Sequence, residues 1–304
     1  MSSYENFEKK SYQQHSEHFK EYSLGSKKES HAKTWFQKDT VDAWRHRRMY
    51  EILDPLLLND PGGKWLTVGD GRYGNDAKYI LERGSDALAT DISDILLKEA
   101  KGIGYIDNYK KENAETLSFQ NTEFDYVLCK ESYHHFPRPM VALYEMLRVA
   151  SKAVLLIEPN DEYIAGTVLR AIFRNLKRNL KAVFGRNSDK HSFEESGNYI
   201  FSISKREIEK VALGLNYKVV VFKGINDAHF PGVEYEKISE KGLLQKKTKL
   251  YINLQNVLCR LGFMDYGLLA TIIFKQEPTK KLIEQLSCQG YEVIRLPDNP
   301  YITN

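Results

Sequence analysis

Trp65-Leu66-Thr67-Val68-Gly69-Asp70-Gly71-Arg72-Tyr73-Gly74-Asn75-Asp76-Ala77 is the stretch on which the fold class turns. Its first four residues are a short, mainly apolar run of the strand type. Three glycines interrupt it, and Asn75-Asp76-Ala77 then opens a helix continued by Tyr79, Ile80 and Leu81. Strand, glycine turn and helix in direct succession form a ligand cradle. Glycine takes positive φ and lets the backbone approach a ligand without a Cβ in the way. The exposed N–H groups at the helix start attract a negative group. A plain tight turn would use the same glycines, so the triplet needs support from its surroundings.

Short apolar runs at Trp65–Val68, Ala87–Thr90, Phe124–Cys129 and Ala153–Ile157 alternate with helix-like segments between Lys64 and Pro159, the pattern of a parallel sheet. Ligands of open α/β sheets sit beyond the carboxyl ends of the strands. Gly69 to Gly74, Asp91, Lys130 to His135 and Glu158 are therefore predicted to converge on one edge. Asp91 lies 17 residues after Gly74, where an acid would hold ribose hydroxyls. Read literally, Gly69-x-Gly71-x-x-Gly74 is the dinucleotide fingerprint, so these residues alone leave NAD and S-adenosylmethionine both open.

The wider stretch Trp65 to Pro159 resembles the class I S-adenosylmethionine-dependent methyltransferases, especially their small-molecule group. Val68-Gly69-Asp70-Gly71 resembles the first motif, and Ala89-Thr90-Asp91-Ile92-Ser93 the second-strand acid. Asn113-Ala114-Glu115-Thr116-Leu117-Ser118-Phe119 resembles the segment beside the adenine. Phe124-Asp125-Tyr126-Val127 with Tyr133-His134-His135-Phe136 resembles the fourth strand and its exit. Leu143 to Val149 resembles the following helix, and Ile157-Glu158-Pro159 the end of the fifth strand. The resemblance implies S-adenosylmethionine as cofactor, held by Gly69, Asp70, Gly71, Gly74, Asp91, Ile92, Asn113, Ala114 and Lys130. It implies a Rossmann-like seven-stranded sheet with helices on both faces. The chain departs from the pattern at Thr67, where the first strand usually carries an acid, at Tyr73 inside the glycine turn, at Asn113 for the usual acid, and at Ser151-Lys152-Ala153 for the usual turn.

A sulfonium methyl is already activated, so holding a nucleophile in line does much of the catalytic work. A hydroxyl acceptor must also lose a proton, and a positioned histidine contributes about 10²–10⁴ in rate. His134, His135 and Glu131 leave the fourth strand at the catalytic edge and are the candidate catalytic residues, beside a packing role for the histidines and a Lys130–Glu131 pair. His191 and His229 fall in insertions and are read as surface residues. No metal is expected, since only Glu158, Asn160 and Asp161 approach a ligand set.

Outside the core, residues 1–60 read as an N-terminal helical cap, with one helix across Asp39 to Leu58. Residues 61–276 form the methyltransferase domain, with helical lid insertions at about 161–199 and 224–267, and 277–304 is a C-terminal extension ending in a strand-like run, Tyr291 to Leu296. Ser204 and Glu207 form a capping box opening a helix to about Leu213, followed by strand-like runs at Tyr217–Phe222 and Leu268–Phe274. Trp35, Phe36 and Trp44 are either pocket walls or core.

Net charge is +3, with 44 Lys and Arg against 41 Asp and Glu, so no global field marks a nucleic-acid binder. The first 20 residues lack the apolar core of a signal peptide and no run of 18 apolar residues occurs, which points to the cytoplasm. Cys129, Cys259 and Cys288 are too scattered for a disulfide framework or zinc site and read as buried thiols. Between Tyr163 and Lys190, apolar residues at helical spacing (Ile164, Val168, Ile172, Leu176, Leu180, Phe184) accompany Arg170, Arg174, Lys177, Arg178, Lys181, Arg186 and Lys190. This basic amphipathic helix suits an anionic acceptor; docking at an acidic membrane surface is the less favoured partner, and a core-facing helix with a solvated basic face stands against both. Nucleic acid is disfavoured, because neither aromatic interleaving nor a recognised binding module accompanies the charge. Nothing in the sequence sets the oligomeric state. The expected activity is methyl transfer to a small-molecule acceptor, on oxygen (a sugar or other metabolite) before nitrogen. A catalytically silent S-adenosylmethionine-binding regulatory protein is the alternative, motivated by Thr67 and Tyr73, with an NAD-dependent oxidoreductase behind it.

Overall fold

The computed structural model describes residues 3–164, 168–183, 192–194 and 198–302. Phe184, Arg186, Lys190 and His191, and the side chains of Lys177, Arg178, Leu180 and Lys181, lie outside the described residues.

The N-terminal segment carries α1 (Ser3–His18), α2 (Glu29–Ala32), α3 (Val41–Tyr50) and α4 (Asp54–Asn59). The sequence predicts one helix across the last two, but Pro55 near the start of α4 cannot continue α3. Thr40 caps α3, its hydroxyl accepting from the Ala43 N–H at 3.1 Å. The alternating core follows with β1 (Lys64–Val68), α5 (Asn75–Leu81), β2 (Asp86–Asp91), α6 (Ile95–Gly102), β3 (Asn108–Lys111), β4 (Phe124–Lys130), α7 (Pro139–Val149) and β5 (Ala150–Pro159). The remainder supplies α8 (Val168–Val183), α9 (Lys205–Gly214), β6 (Val219–Ile225), α10 (Leu243–Arg260), β7 (Leu268–Phe274), α11 (Lys280–Cys288) and β8 (Glu292–Arg295). The capping box is present at the start of α9: the Ser204 hydroxyl accepts from the Glu207 N–H at 3.2 Å, and the Glu207 carboxylate accepts from the Ser204 N–H.

Among the described residues, eight strands form one sheet in the order β3-β2-β1-β4-β5-β7-β6-β8. The strands β3, β2, β1, β4 and β5 run parallel, and β7 is antiparallel between β5 and β6. This is a Rossmann-like α/β sheet with one strand more than the expected seven. The extra strand is β8, paired antiparallel with β6, so the C-terminal segment closes an edge of the sheet. Its Tyr291 hydroxyl donates to the Ile52 carbonyl at 3.0 Å, tying it to the N-terminal cap.

Two cores sandwich the sheet. One gathers Leu53, Leu56, Trp65, Ile80, Leu96 and Leu155; the other gathers Leu66, Phe124, Val127, Met146, Val154 and Phe222. Burial on both faces explains why these strands read as continuous apolar runs. The core-facing reading of α8 is not met by its described residues, since Val168, Ile172 and Leu176 are exposed. Cys129 and Cys259 are buried as expected, but Cys288 is exposed. None of the described helices is long and apolar enough to cross a membrane.

Candidate active site

The strand order reverses between β1 and β4, and the carboxyl ends of these strands open on a cavity of about 1210 Å³. This is the switch-point crevice where open α/β sheets take ligands. Gly69, Asp70, Gly71, Asp91, Ile92, Asn113, Ala114, Lys130, Glu131 and His135 line it, so most of the sequence-predicted residues meet there. Gly74 and His134 are not in its wall.

Gly69 sits at φ 77°, and a Cβ there would collide with Ser132. The Ser132 hydroxyl instead donates to the Gly69 carbonyl at 2.6 Å, joining the β1 turn to the β4 exit. Asp70 turns inward: its carboxylate accepts from the Thr67 hydroxyl at 2.8 Å and from the N–H groups of Asp76 (3.1 Å) and Ala77 (2.9 Å) at the start of α5. Burial and the neighbouring Asp76 carboxylate push the Asp70 carboxyl well above its ordinary value. Thr67 and Asp70 together thus tie the end of β1 to the start of α5. Gly74, at φ 71°, starts α5 and packs against Ile106 and Ala89. Tyr73, at φ 59°, points out of the cradle, its ring against Phe36 with centroids 4.2 Å apart.

Asp91 ends β2. Burial pushes its carboxyl up to about 7, against the pull of the N–H groups of Ser93, Gly71 and Ile92. Asn113 accepts from the Glu115 N–H at 2.9 Å. Lys130, buried, has its Nζ 3.4 Å from Asp76 Oδ1 and 3.7 Å from Glu131 Oε2. Glu131 holds the left-handed region at φ 50°, a conformation costly for a residue with a Cβ and common at functional sites. Burial raises its carboxyl, but Lys130, His46 and Arg72 outweigh that and hold it down at about 2.

His46 is the residue that the sequence reading missed. It faces the cavity from α3 with Nδ1 3.6 Å from Glu131 Oε2 and Nε2 3.7 Å from Asp42 Oδ2. Burial and the nearby Lys130 depress its pKa and favour the neutral imidazole. Asp42, His46 and Tyr50 follow one another at four-residue spacing on one face of α3, a polar stripe that was there to be found.

His134 is turned away: its Nδ1 lies 2.6 Å from Oε2 of the fully buried Glu158, whose Oε1 accepts from the Ser132 (2.9 Å) and Tyr133 (3.0 Å) N–H groups. Glu158 thereby shapes the β4 exit. Asn160 donates to the Tyr266 carbonyl at 3.0 Å and Asp161 accepts from the Tyr163 N–H at 2.9 Å. His229 pairs with Glu234 away from the cavity. Of the aromatic candidates, Trp35 lines the cavity while Phe36 and Trp44 do not.

The cover over the cavity comes from the N-terminal segment, through Tyr12, His15, Phe19 and Tyr22. The insertions add only Phe193 and Glu194 among the described residues. Phe19 leans over the cradle: a Cβ on Gly71 would come within 2.6 Å of its ring and 2.8 Å of Asp91 Oδ2.

Residues 66–157 match the family model of a methyltransferase domain. Among solved structures, an S-adenosylmethionine-dependent methyltransferase from Methanosarcina mazei is similar at 14% identity, TM-score 0.46, over 74% of this chain and 98% of the other. Magnesium protoporphyrin IX methyltransferase from Synechocystis, with bound S-adenosylhomocysteine, is similar at 12% identity, TM-score 0.45, over 76% and 84%. A possible histamine N-methyltransferase from Thermotoga maritima is similar at 14% identity, TM-score 0.43, over 81% and 99%. A comparison with curated proteins finds no match to the chain.

Proposed function

We propose that the protein is an S-adenosylmethionine-dependent methyltransferase, a reading supported by the match of residues 66–157 to a methyltransferase-domain model, and that it methylates a hydroxyl group of a small-molecule acceptor held beneath its N-terminal segment, with His46 as the proton acceptor. The observation that carries this reading is the placement of His46 on the cavity wall between two carboxylates. Its depressed pKa leaves a lone pair free at neutral pH. The imidazolium formed on taking the acceptor's proton is stabilised by Asp42 and Glu131, which flank the ring. Glu131, held ionised by Lys130, Arg72 and His46, is too weak a base to take the proton itself and serves as the counter-charge.

Asp91 would hold the ribose hydroxyls of the cofactor, and Asn113 and Ala114, which line the same cavity, would border its adenine. The cofactor would supply a sulfonium-activated methyl group, which the acceptor oxygen would take as the carbon–sulfur bond breaks with its electron pair left on sulfur. The proton leaves to His46. A screen of hydroxylated, amine and phosphorylated metabolites for S-adenosylhomocysteine release tests the reading. A hydroxylated acceptor is expected to turn over, and His46→Ala to lower kcat by about 10²–10⁴ with S-adenosylhomocysteine affinity unchanged. Turnover of amines alone, or full kcat in His46→Ala, overturns it.

A further inference from the structure

His15 near the end of α1, His135 in the turn after β4, and Glu194 in the first insertion come from three distant parts of the chain and meet on the cavity wall. The ligand-capable atoms of the three lie within 4.8 Å of one another. Glu194 Oε1 is 2.8 Å from His135 Nδ1, and Glu194 Oε2 is 3.7 Å from His15 Nε2. His15 Nε2 and His135 Nδ1 are both screened from solvent, and neither meets a partner with hydrogen-bond geometry; the Glu194 carboxylate supplies a charge pairing to each. A buried polar atom without a well-directed hydrogen bond costs about 1–3 kcal/mol. Two imidazole nitrogens converging in this way on one carboxylate form a donor set for a third species.

We infer that His15 Nε2, His135 Nδ1 and the Glu194 carboxylate bind a divalent transition-metal ion of the zinc type. Two imidazoles and a carboxylate form a zinc donor set, and three protein ligands leave a coordination position open. Two donors bonded at about 2.0–2.1 Å to one ion stand roughly 3–3.5 Å apart, so the observed separations need only small side-chain adjustments. The sequence expectation of a metal-free site was drawn from the end of β5, and these three groups lie elsewhere. On the hydroxyl-acceptor reading, which this inference deepens, an ion here would bind the acceptor oxygen and lower its pKa.

The test is calorimetric titration of the chelator-treated, full-length protein with ZnCl₂, with elemental analysis after dialysis and the visible spectrum of the Co²⁺ form. One equivalent is expected, with Kd weakened at least tenfold by His15→Ala, His135→Ala and Glu194→Gln. His15→Asn, which keeps a polar side chain, guards against a packing effect and is expected to weaken the metal likewise. Less than one equivalent, or equal affinity in all the variants, overturns the inference. S-adenosylhomocysteine binding is measured on the same samples: its loss in the parent chain would count against the methyltransferase reading and leave the metal result standing.

An independent observation concerns the outer surface. Neither α8 nor α10 contains an Asp or Glu, while both carry several Lys and Arg. Val168, Ile172 and Leu176 of α8 are 77, 60 and 53% exposed, and Leu243, Leu250 and Leu254 of α10 are 78, 71 and 55% exposed. The helices are linked where Phe173 meets Phe263, with ring centroids 5.8 Å apart, and Arg170 pairs with Asp265 at 2.7 Å. Exposed apolar residues flanked by basic ones are the composition of helices that lie in a bilayer interface. We propose that this surface docks on an anionic lipid bilayer. A second copy of the same face would bring basic side chains against basic ones. Vesicle sedimentation should show binding to phosphatidylglycerol-containing vesicles, weakened by salt and by Ile172→Asp with Leu250→Asp, and little binding to phosphatidylcholine alone. No binding to the anionic vesicles, or a dimer in sedimentation equilibrium that the same substitutions dissolve, overturns it.

Discussion

Asp91 offers the sharpest test of how this site takes its cofactor. Its carboxyl is buried at the end of β2 and its pKa is pushed up to about 7, so near neutrality the empty site holds a mixture of acid and carboxylate. A ribose diol donates two hydrogen bonds and is best received by the ionised form. Binding therefore has to drive off the proton below pH 7. With the carboxylate as the competent form, apparent Kd for S-adenosylhomocysteine rises about tenfold between pH 8 and pH 6. Hydrogen bonds to a charged acceptor are worth about 1.5–3 kcal/mol each. Asp91→Asn keeps the shape and removes the charge, so a loss on the order of 3 kcal/mol, about a hundredfold in Kd, is expected at pH 8, and the variant's pH slope should be flat.

The same shift has a stability consequence of definite sign. A folded-state pKa above the unfolded value near 3.9 means that the folded chain holds the proton more tightly. Its stabilising contribution is complete below pH 4 and is lost as pH rises through 7, on the order of 4 kcal/mol in all. Ligand that recruits the carboxylate should return part of this, so the rise in Tm on adding S-adenosylhomocysteine should be larger at pH 8 than at pH 6. Calorimetry across pH 5.5–8.5, in two buffers of different ionisation enthalpy, measures both affinity and proton release. A pH-independent Kd with no proton release, or an Asp91→Asn variant that retains the wild-type slope, would refute the reasoning.

Other substitutions test the frame around the site. Gly69→Ala combines positive φ with a collision against Ser132 and should lower the urea unfolding free energy by about 2–4 kcal/mol. Glu158→Leu strands the Ser132 and Tyr133 N–H groups and His134, so a loss of about 3–5 kcal/mol is expected in the same measurement, with Glu158→Gln recovering part of it. Tyr291→Phe removes the hydroxyl that holds the C-terminal segment to Ile52 and should cost about 1 kcal/mol, read as faster amide exchange in β8 before any change in β1.

What the sequence made legible follows from where burial and spacing leave a local mark. The strands β1, β2, β4 and β5 stand between helices and bury both faces, so their apolar runs announce them. The edge strand β3, Asn108-Tyr109-Lys110-Lys111, has no buried residue and hence no run to read. β8 shows a strand-like run, but nothing local to Glu292–Arg295 fixes its partner as β6. The Asp39–Leu58 helix was over-extended because its apolar periodicity continues across Glu51 to Leu53, where the chain turns. Residues at strand ends, such as Asp91, Lys130 and Glu131, were found because the parallel-sheet pattern places them on one edge. His46 and His15 were not, since it is helices packed over that edge at long sequence separation that bring them to the cavity wall.

The two departures that favoured a silent protein lose their force for the same reason. Tyr73 reads as an intruder in the glycine turn only if its side chain enters the cradle. The left-handed backbone at that position sends it to Phe36 and Trp35 instead, where it anchors the N-terminal cover to the core. Thr67 reads as a missing acid only if the acid must come from the first strand. Its hydroxyl donates to Asp70, three residues on, and that carboxylate gathers the first N–H groups of α5 and so orders the turn. A cradle ordered from within and left open at Gly69, Gly71 and Asp91 retains what cofactor binding requires. Phe19, from the N-terminal cover, brings its ring within 2.6 Å of where a Cβ on Gly71 would stand, beside Asp91, so the ring is expected to stand in the path of S-adenosylmethionine. Phe19→Ala should consequently raise the association rate of S-adenosylhomocysteine in stopped-flow measurements, and an unchanged rate would show that the ring does not stand in the entry path.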